Sequence, residues 1–329
     1  MKDVNMNQIF QKINAEMQGA CQTRMRAIVA ACESTRLFAR NLDNGMFYTQ
    51  KCLRSTEEKE NDEVIVGQVG GVTTIGINRP QKRNCINDTT VAKLLEAFSR
   101  FESDDGACVG VLYGTGGNFC AGYDLEELHE QQAHGLAALV PCNSHLRKPI
   151  VAAVSGYALG AGFELALMCD LRVVEETAVF GFFNRRFGVP SVSGGTVRLQ
   201  AVVGLSRALD LILTGRPVKS EEALACGLAN RVVACGTALG QAVNLASSMR
   251  KFPQASLSAD RISTYYAAFA ASSMKDALTF ERDNAQDAIE KETFGGAAKF
   301  VSGIGKHGEF KNISDSYTPV KPQNKLKKV

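Results

Sequence analysis

No two of the ten cysteines in this 329-residue chain are spaced as CxxC, and none of its four histidines completes a metal-ligand spacing. Zinc and dithiol redox chemistry therefore have no support, and the cysteines read as reduced, core-filling residues of a reducing compartment, Cys169 in an apolar run being an example. The GxSxG elbow of serine hydrolases is missing, as are the GxxxxGK[ST] and GxGxxG loops that cradle nucleotides. No apolar run is long enough to span a membrane. Charge of one sign is not concentrated either: the net charge is +3 with both signs mixed along the chain, so no basic surface advertises nucleic acid. At 45% hydrophobic content, the chain can bury one large core or a core with a small appendage.

What is present is a strand that runs through glycines into an apolar helix. Ile150 to Val154 is β-branched and continuous enough for a strand covered on both faces. Gly156, Gly160 and Gly162 allow a sharp turn and close backbone approach to a ligand. The helix predicted from about Ala161 aims its unpaired first N–H groups forward. Glu164 lies one turn inside, among Phe163, Leu165, Ala166, Leu167 and Met168, so burial should raise its pKa toward that of a general base. The plainer reading is a first-turn acid that complements the helix dipole.

A second segment repeats this layout: a strand over 109–113, then Gly114 to Leu128 as a turn opening a helix, with Asp124 as N-terminal cap or first-turn acid. Two such turns facing one oxygen would form an oxyanion hole, each donor contributing roughly 3 kcal/mol to the transition state.

The pattern predicts strands near 64–69, 72–78, 107–113, 150–154 and 171–174, alternating with helices near 89–102, 124–134 and 161–169, and a hairpin through Gly70 and Gly71. Further helices are expected from about Gly236, over Ala242 to Met249 and Lys275 to Ile289. Periodicity alone suggests an ordinary doubly wound α/β sheet. Residues 1–62 end in a charged run and read as an extension and linker. Between Gln22 and Arg54, six basic residues against two acidic ones resemble a mitochondrial transit peptide, an arbitrary extension being the alternative. The expected location is the mitochondrial matrix, otherwise the cytoplasm. Residues 311–329 form a polar, lysine-rich tail without a Ser-Lys-Leu ending.

Asn78-Arg79-Pro80-Gln81-Lys82-Arg83-Asn84, Asn118 to Leu125, Gly156 to Glu164, Gly194 to Leu199, Leu213 to Arg216 and Ala223 to Val233 stand in the order and spacing of the enoyl-CoA hydratase/isomerase (crotonase) family, which the chain resembles over about 63–310. The resemblance implies an α/β fold with a repeated ββα spiral core over 63–235 and a C-terminal helical trimerisation region over 236–310. It implies an acyl-CoA thioester substrate whose carbonyl is held by the backbone N–H groups of Tyr123 and Ala161, with Glu164 as the catalytic carboxylate. Coenzyme A, part of the substrate and not a separate cofactor, would meet Arg83, Cys85, Ala121, Asp124 and Leu125. Tyr157, Gly160 and Asn184 would also line the site, and a homotrimer or hexamer is expected, with Phe300 to Phe310 reaching the acyl chain or coenzyme. No metal, nucleic-acid partner or membrane span is expected.

One departure limits the likeness. The family's second glutamate falls on Asn184, and an amide does not exchange a proton usefully at neutral pH. The resemblance then favours proton shuttling by Glu164 alone, as in double-bond isomerases, or an atypical hydration. An acyl-CoA decarboxylase or hydrolase of the same fold is an alternative, and a non-catalytic scaffold or RNA-binding protein is an alternative of another class. Glu175 and Glu176 are candidate substitutes for the missing acid, or an exposed acidic pair at a strand end. Arg185 and Arg186 are candidates for pairing with a substrate carboxylate or phosphate, or else surface or intersubunit residues.

Overall fold

The computed structural model of the chain describes residues 62–130 and 146–306. Strands β1 (Val64–Val69) and β2 (Val72–Ile77) form the expected hairpin, with Gly70 and Gly71 at positive φ (56° and 79°) in its two-residue turn. Helix α1 (Asp88–Ser103) follows, started by Asn87, whose side chain accepts the Thr90 N–H. Strand β3 (Gly110–Gly114) starts three residues later than the predicted 107, because Ala107 N–H closes a turn onto the Asp104 carbonyl. Helix α2 (Leu125–Glu130) is described to its sixth residue, and the expected continuation to 134 lies outside the described residues.

Strand β4 (Ile150–Val154) leads into a short strand β5 (Tyr157–Leu159) and then helix α3 (Ala161–Met168). The sequence had presented 156–162 as a glycine-rich turn only. Tyr157, Ala158 and Leu159 are instead extended, because the 120–123 segment on one side and β7 (Val179–Gly181) on the other satisfy their backbone. Strand β6 (Leu171–Glu175) precedes β7. Helices α4 (Gly195–Val203) and α5 (Leu205–Thr214), strand β8 (Val218–Lys219), helix α6 (Ser220–Ala225) and strand β9 (Arg231–Val233) complete this part. Helices α7 (Ala238–Arg250), α8 (Gln254–Phe269), α9 (Met274–Ala288) and α10 (Phe294–Val301) end the described chain, a π-helical turn over Ile289–Thr293 joining the last two.

The strands divide between two sheets. One has the order β1-β2-β3-β4-β6-β9, parallel except for the opening hairpin, and the smaller has the order β5-β7-β8. The units β4–β5–α3 and β6–β7–α4 each give one strand to the first sheet and one to the second before a helix, so the chain spirals instead of winding doubly. The central strands are buried on both faces. In β3, Leu112 enters the main core with Phe98, Phe101 and Phe163, while Val111 and Tyr113 face a second core closed by Ala238, Ala242 and Ala246 of α7. Alanines four apart put a shallow stripe on α7, which lets its backbone lie close to the sheet.

Close approach is demanding at Gly162. A Cβ there would stand 2.2 Å from the Cys120 carbonyl oxygen and 2.7 Å from Cys120 Cβ. Alanine would gain about 1 kcal/mol of helix propensity, but the overpacking costs roughly 1–3 kcal/mol and wins. Gly162→Ala should therefore lower the melting temperature and slow any chemistry at the adjoining turn; an unchanged melting temperature would show that the two turns are not pressed together.

Candidate active site

Three extended segments lie side by side in front of α3. Ile86 N–H donates to the Gly122 carbonyl at 2.8 Å, and Cys120 N–H to the Tyr157 carbonyl at 2.9 Å. Leu159 N–H returns to the Cys120 carbonyl at 2.9 Å, and Gly160 N–H donates to the Gly181 carbonyl at 2.9 Å. This ladder brings together the two glycine turns that lie some forty residues apart in sequence. At Gly122, with φ at 105°, the position of a Cβ would be 3.8 Å from the Ala161 nitrogen, so the residue before Tyr123 stands beside the start of α3. Ala161 is the first residue of that helix, and its N–H has no intrahelical acceptor. The expected donors Tyr123 and Ala161 thus come from neighbouring backbone strips.

Glu164 is 1% exposed. Its Oε1 accepts the N–H groups of Ser193 and Gly195, both at 2.9 Å, and its Oε2 accepts no hydrogen bond from the described residues. Burial pushes its pKa above the usual glutamate value, while the two N–H donors and the charge of Arg198 on α4 pull the other way. The carboxylate is therefore anchored by one oxygen and leaves the other for a proton. Gly195 has no room for a side chain, since a Cβ would meet Glu164 Cγ at 2.6 Å. Sequence reasoning singled out the Gly194–Leu199 run only as a likeness and missed that its backbone grips the acid. The glycine pair opening a helix was the available signal.

Asn184 faces the same turn. A Cβ on Gly160 would lie 3.5 Å from its Oδ1, and that oxygen is buried without a hydrogen-bond partner among the described residues. Its Nδ2 donates to the Val189 carbonyl at 2.8 Å and is 3.4 Å from Ser191 Oγ. The amide at the second acid's position thus presents an acceptor, with its donor committed to the following loop.

Glu175 is not such a substitute, nor is it exposed. At 7% exposure its Oε1 accepts from Ser155 Oγ at 3.0 Å and Gly236 N–H at 2.8 Å, which pins the ends of β4 and β6 to the start of α7. Glu176 is exposed, as an acid at a strand end usually is. Arg185 and Arg186 are exposed too, and they donate to the Ile212 and Gly215 carbonyls near the end of α5.

The loop before α1 is built around Arg79, 7% exposed, whose guanidinium donates to the Cys85 carbonyl at 2.6 Å, Asp124 Oδ2 at 3.0 Å and Glu127 Oε1 at 2.9 Å. Asp124 sits just before α2, as expected, its carbonyl accepting the Leu128 N–H at 3.0 Å, and its side chain turns to Arg79. Arg83 and Asn84 both adopt left-handed φ values, 51° and 57°. Asn84 sustains this with its side chain, which accepts Arg79 N–H at 2.8 Å and donates to the Thr115 and Asn118 carbonyls. Ala121 N–H donates to the Arg83 carbonyl at 3.0 Å, so Arg83, Cys85, Ala121 and Asp124 share one rim. Burial pushes the Cys85 thiol up to about 11, which leaves it protonated and unreactive. Leu125 is exposed at this rim and Tyr157 is buried beneath it. Phe300, expected to reach the site, is 57% exposed on α10, and 307–310 lie outside the described residues.

Among the described residues no helix is long and apolar enough to cross a membrane. The enoyl-CoA hydratase/isomerase family matches residues 67–303. A probable mitochondrial enoyl-CoA hydratase of Dictyostelium discoideum is 35% identical over 213 residues, 63% of this chain and 73% of the relative. A probable peroxisomal enoyl-CoA hydratase of Arabidopsis thaliana is 30% identical over 257 residues, 75% and 95% of the two chains. The crystal structure of an enoyl-CoA hydratase from Mycobacterium marinum superposes with a TM-score of 0.69 at 30% identity, covering 73% of this chain and 96% of that one. The spiral of paired strands and helices is thus the crotonase fold, and the chain belongs to the enoyl-CoA hydratase/isomerase family of enzymes.

Proposed function

We propose that the protein binds an acyl-CoA thioester, polarises its carbonyl with the Tyr123 and Ala161 amides, and moves a proton with Glu164 in double-bond isomerisation. The observation that carries this reading is the asymmetric anchoring of Glu164: Oε1 is held by Ser193 and Gly195, Oε2 has no hydrogen-bond partner among the described residues, and an amide stands where a second acid would be. With a 3-enoyl thioester, Oε2 would take a proton from C2, the electrons would delocalise into a dienolate on the carbonyl oxygen, and Glu164 Oε2 would return the proton to C4 as the dienolate collapses. The thioester supplies its own activated carbonyl, so this chemistry calls on no separate cofactor.

Hydration of a 2-enoyl thioester is the second reading. The relatives are named hydratases, and the unpartnered Asn184 Oδ1 offers a water one acceptor. Assembly as a homotrimer and a mitochondrial location belong to the same proposal, supported by the family likeness and by the basic stretch between Gln22 and Arg54.

Incubation with 2-enoyl- and 3-enoyl-CoA in D₂O, with products separated by mass spectrometry, tests the proposal against Glu164→Gln. Double-bond migration with deuterium uptake and no 3-hydroxyacyl product is expected; Glu164-dependent 3-hydroxyacyl-CoA would install hydration instead, and no conversion or exchange would overturn both. Asn184→Glu should raise hydration by about tenfold or more by completing an acid pair. No gain would mean that residue 184 does not stand opposite Glu164 across the reacting carbons.

A further inference from the structure

The residue that supplies one carbonyl-binding amide also reaches, through its side chain, the loop that grips the base. Tyr123 Oη lies 3.2 Å from Ser193 Oγ, and Ser193 is 1% exposed. Ser193 N–H donates to Glu164 Oε1 at 2.9 Å, and the Ser193 carbonyl accepts from Arg198 Nη1 at 3.3 Å. The next residue, Gly194, is left-handed with φ at 87°, and Gly195 then gives the second N–H to Glu164. Earlier in the loop Asn184 holds Val189 and Ser191. The segment carrying both amides is therefore tied at 189–191 by Asn184 and at 193 by Tyr123, with Arg198 bracing it from behind.

We propose that Tyr123 is a positioning residue, whose hydroxyl braces the Ser193 loop so that the carbonyl-binding turn and the Glu164 carboxylate keep one fixed relation. This rests on the acid–base reading of Glu164 and deepens it. A small displacement of the loop lengthens both N–H contacts to Oε1 at once, because Ser193 and Gly195 flank a single glycine. Those contacts stabilise the carboxylate form, so loosening them raises the Glu164 pKa and turns Oε2 away from its productive angle. The charged group acting on Glu164 from the packed elements is Arg198, which all the variants below retain.

The test labels the full-length protein with ¹³C-glutamate and follows the resonance that disappears in Glu164→Gln. Tyr123→Phe keeps the ring and the backbone N–H but removes the hydroxyl, and Ser193→Ala removes the other partner. Each should move the Glu164 midpoint upward by about half a pH unit. Each should also lower kcat for the D₂O exchange by roughly fivefold with KM within about twofold of wild type. The double variant should be no worse than either single one, since both break the same contact. A bond that only stabilises the fold would lower the melting temperature and leave the midpoint and kcat in place, which would overturn the proposal, as would additive losses in the double variant. If the unaltered protein turns over no enoyl-CoA, the isomerase reading fails, while the titration still decides whether Tyr123 positions the acid.

Discussion

Glu164→Gln should reduce enoyl-CoA conversion by about 10³-fold, within the 10²–10⁴ contributed by a positioned acid–base group, and leave acyl-CoA affinity nearly unchanged. Glutamine has the shape of the acid, and its carbonyl oxygen can still accept from Ser193 and Gly195. What it lacks is an oxygen at the Oε2 position that can take up a proton. Single-turnover exchange alongside calorimetric binding separates the two effects. A parallel loss of rate and affinity would show that the charge holds the site together and does not move a proton. The pH profile adds a direction: the base in the proposed mechanism works ionised, so the rate should fall as pH drops through a value above the usual glutamate range, because burial raises the Glu164 pKa. Stability runs the opposite way. A carboxyl whose folded pKa is raised favours folding most when protonated, so its contribution is fully present at acid pH and lost as pH rises through the folded pKa.

The largest stability loss is expected from Arg79→Met. The substitution keeps a long apolar stem and removes a guanidinium that joins Asp124, Glu127 and the Cys85 carbonyl. Asp124, 5% exposed, would lose its close partner and keep Lys82 Nζ at 4.0 Å. Breaking a buried pair from one side costs about 3–5 kcal/mol, read as a lower denaturation midpoint in urea. Lysine should recover only part of this, because a single ammonium cannot span the three acceptors. Arg79→Met with wild-type stability would mean that the rim stands on Asn84 alone. On the proposed acyl-CoA reading, affinity for coenzyme A should fall with stability, since the same loop carries Arg83 and Cys85.

The strand-to-helix turn at 150–164 was legible because its signals are local: a β-branched run, three glycines and one acid in an apolar helix. Burial of Glu164 and the direction of its pKa followed from its neighbours in sequence. β5 was not legible, because three residues between glycines become extended only when Cys120 and Val179 to Gly181 arrive beside them. Glu175 misled for a related reason, its burial depending on Ser155 and on Gly236, sixty-one residues away. The Arg79–carboxylate cluster and the Ser193–Gly195 grip were invisible as chemistry, since the carboxylates and their partners are brought together across at least twenty-nine positions.

By itself, then, the sequence determined the opening hairpin and the strands and helices of 88–103, 110–114, 150–154 and 161–175, which carboxylate lies in an apolar setting, and, through motif order, which family the chain resembles. Only the tertiary structure decided that the strands split between two sheets, that Glu164 is held by one oxygen, and that Tyr123 touches the loop holding it. The physical reason is that periodicity and glycine placement act over a few residues, where sequence records them directly. Hydrogen-bond partners and desolvation are instead set by whatever the folded chain brings within about 3 Å, a distance that carries no regular trace in residue number.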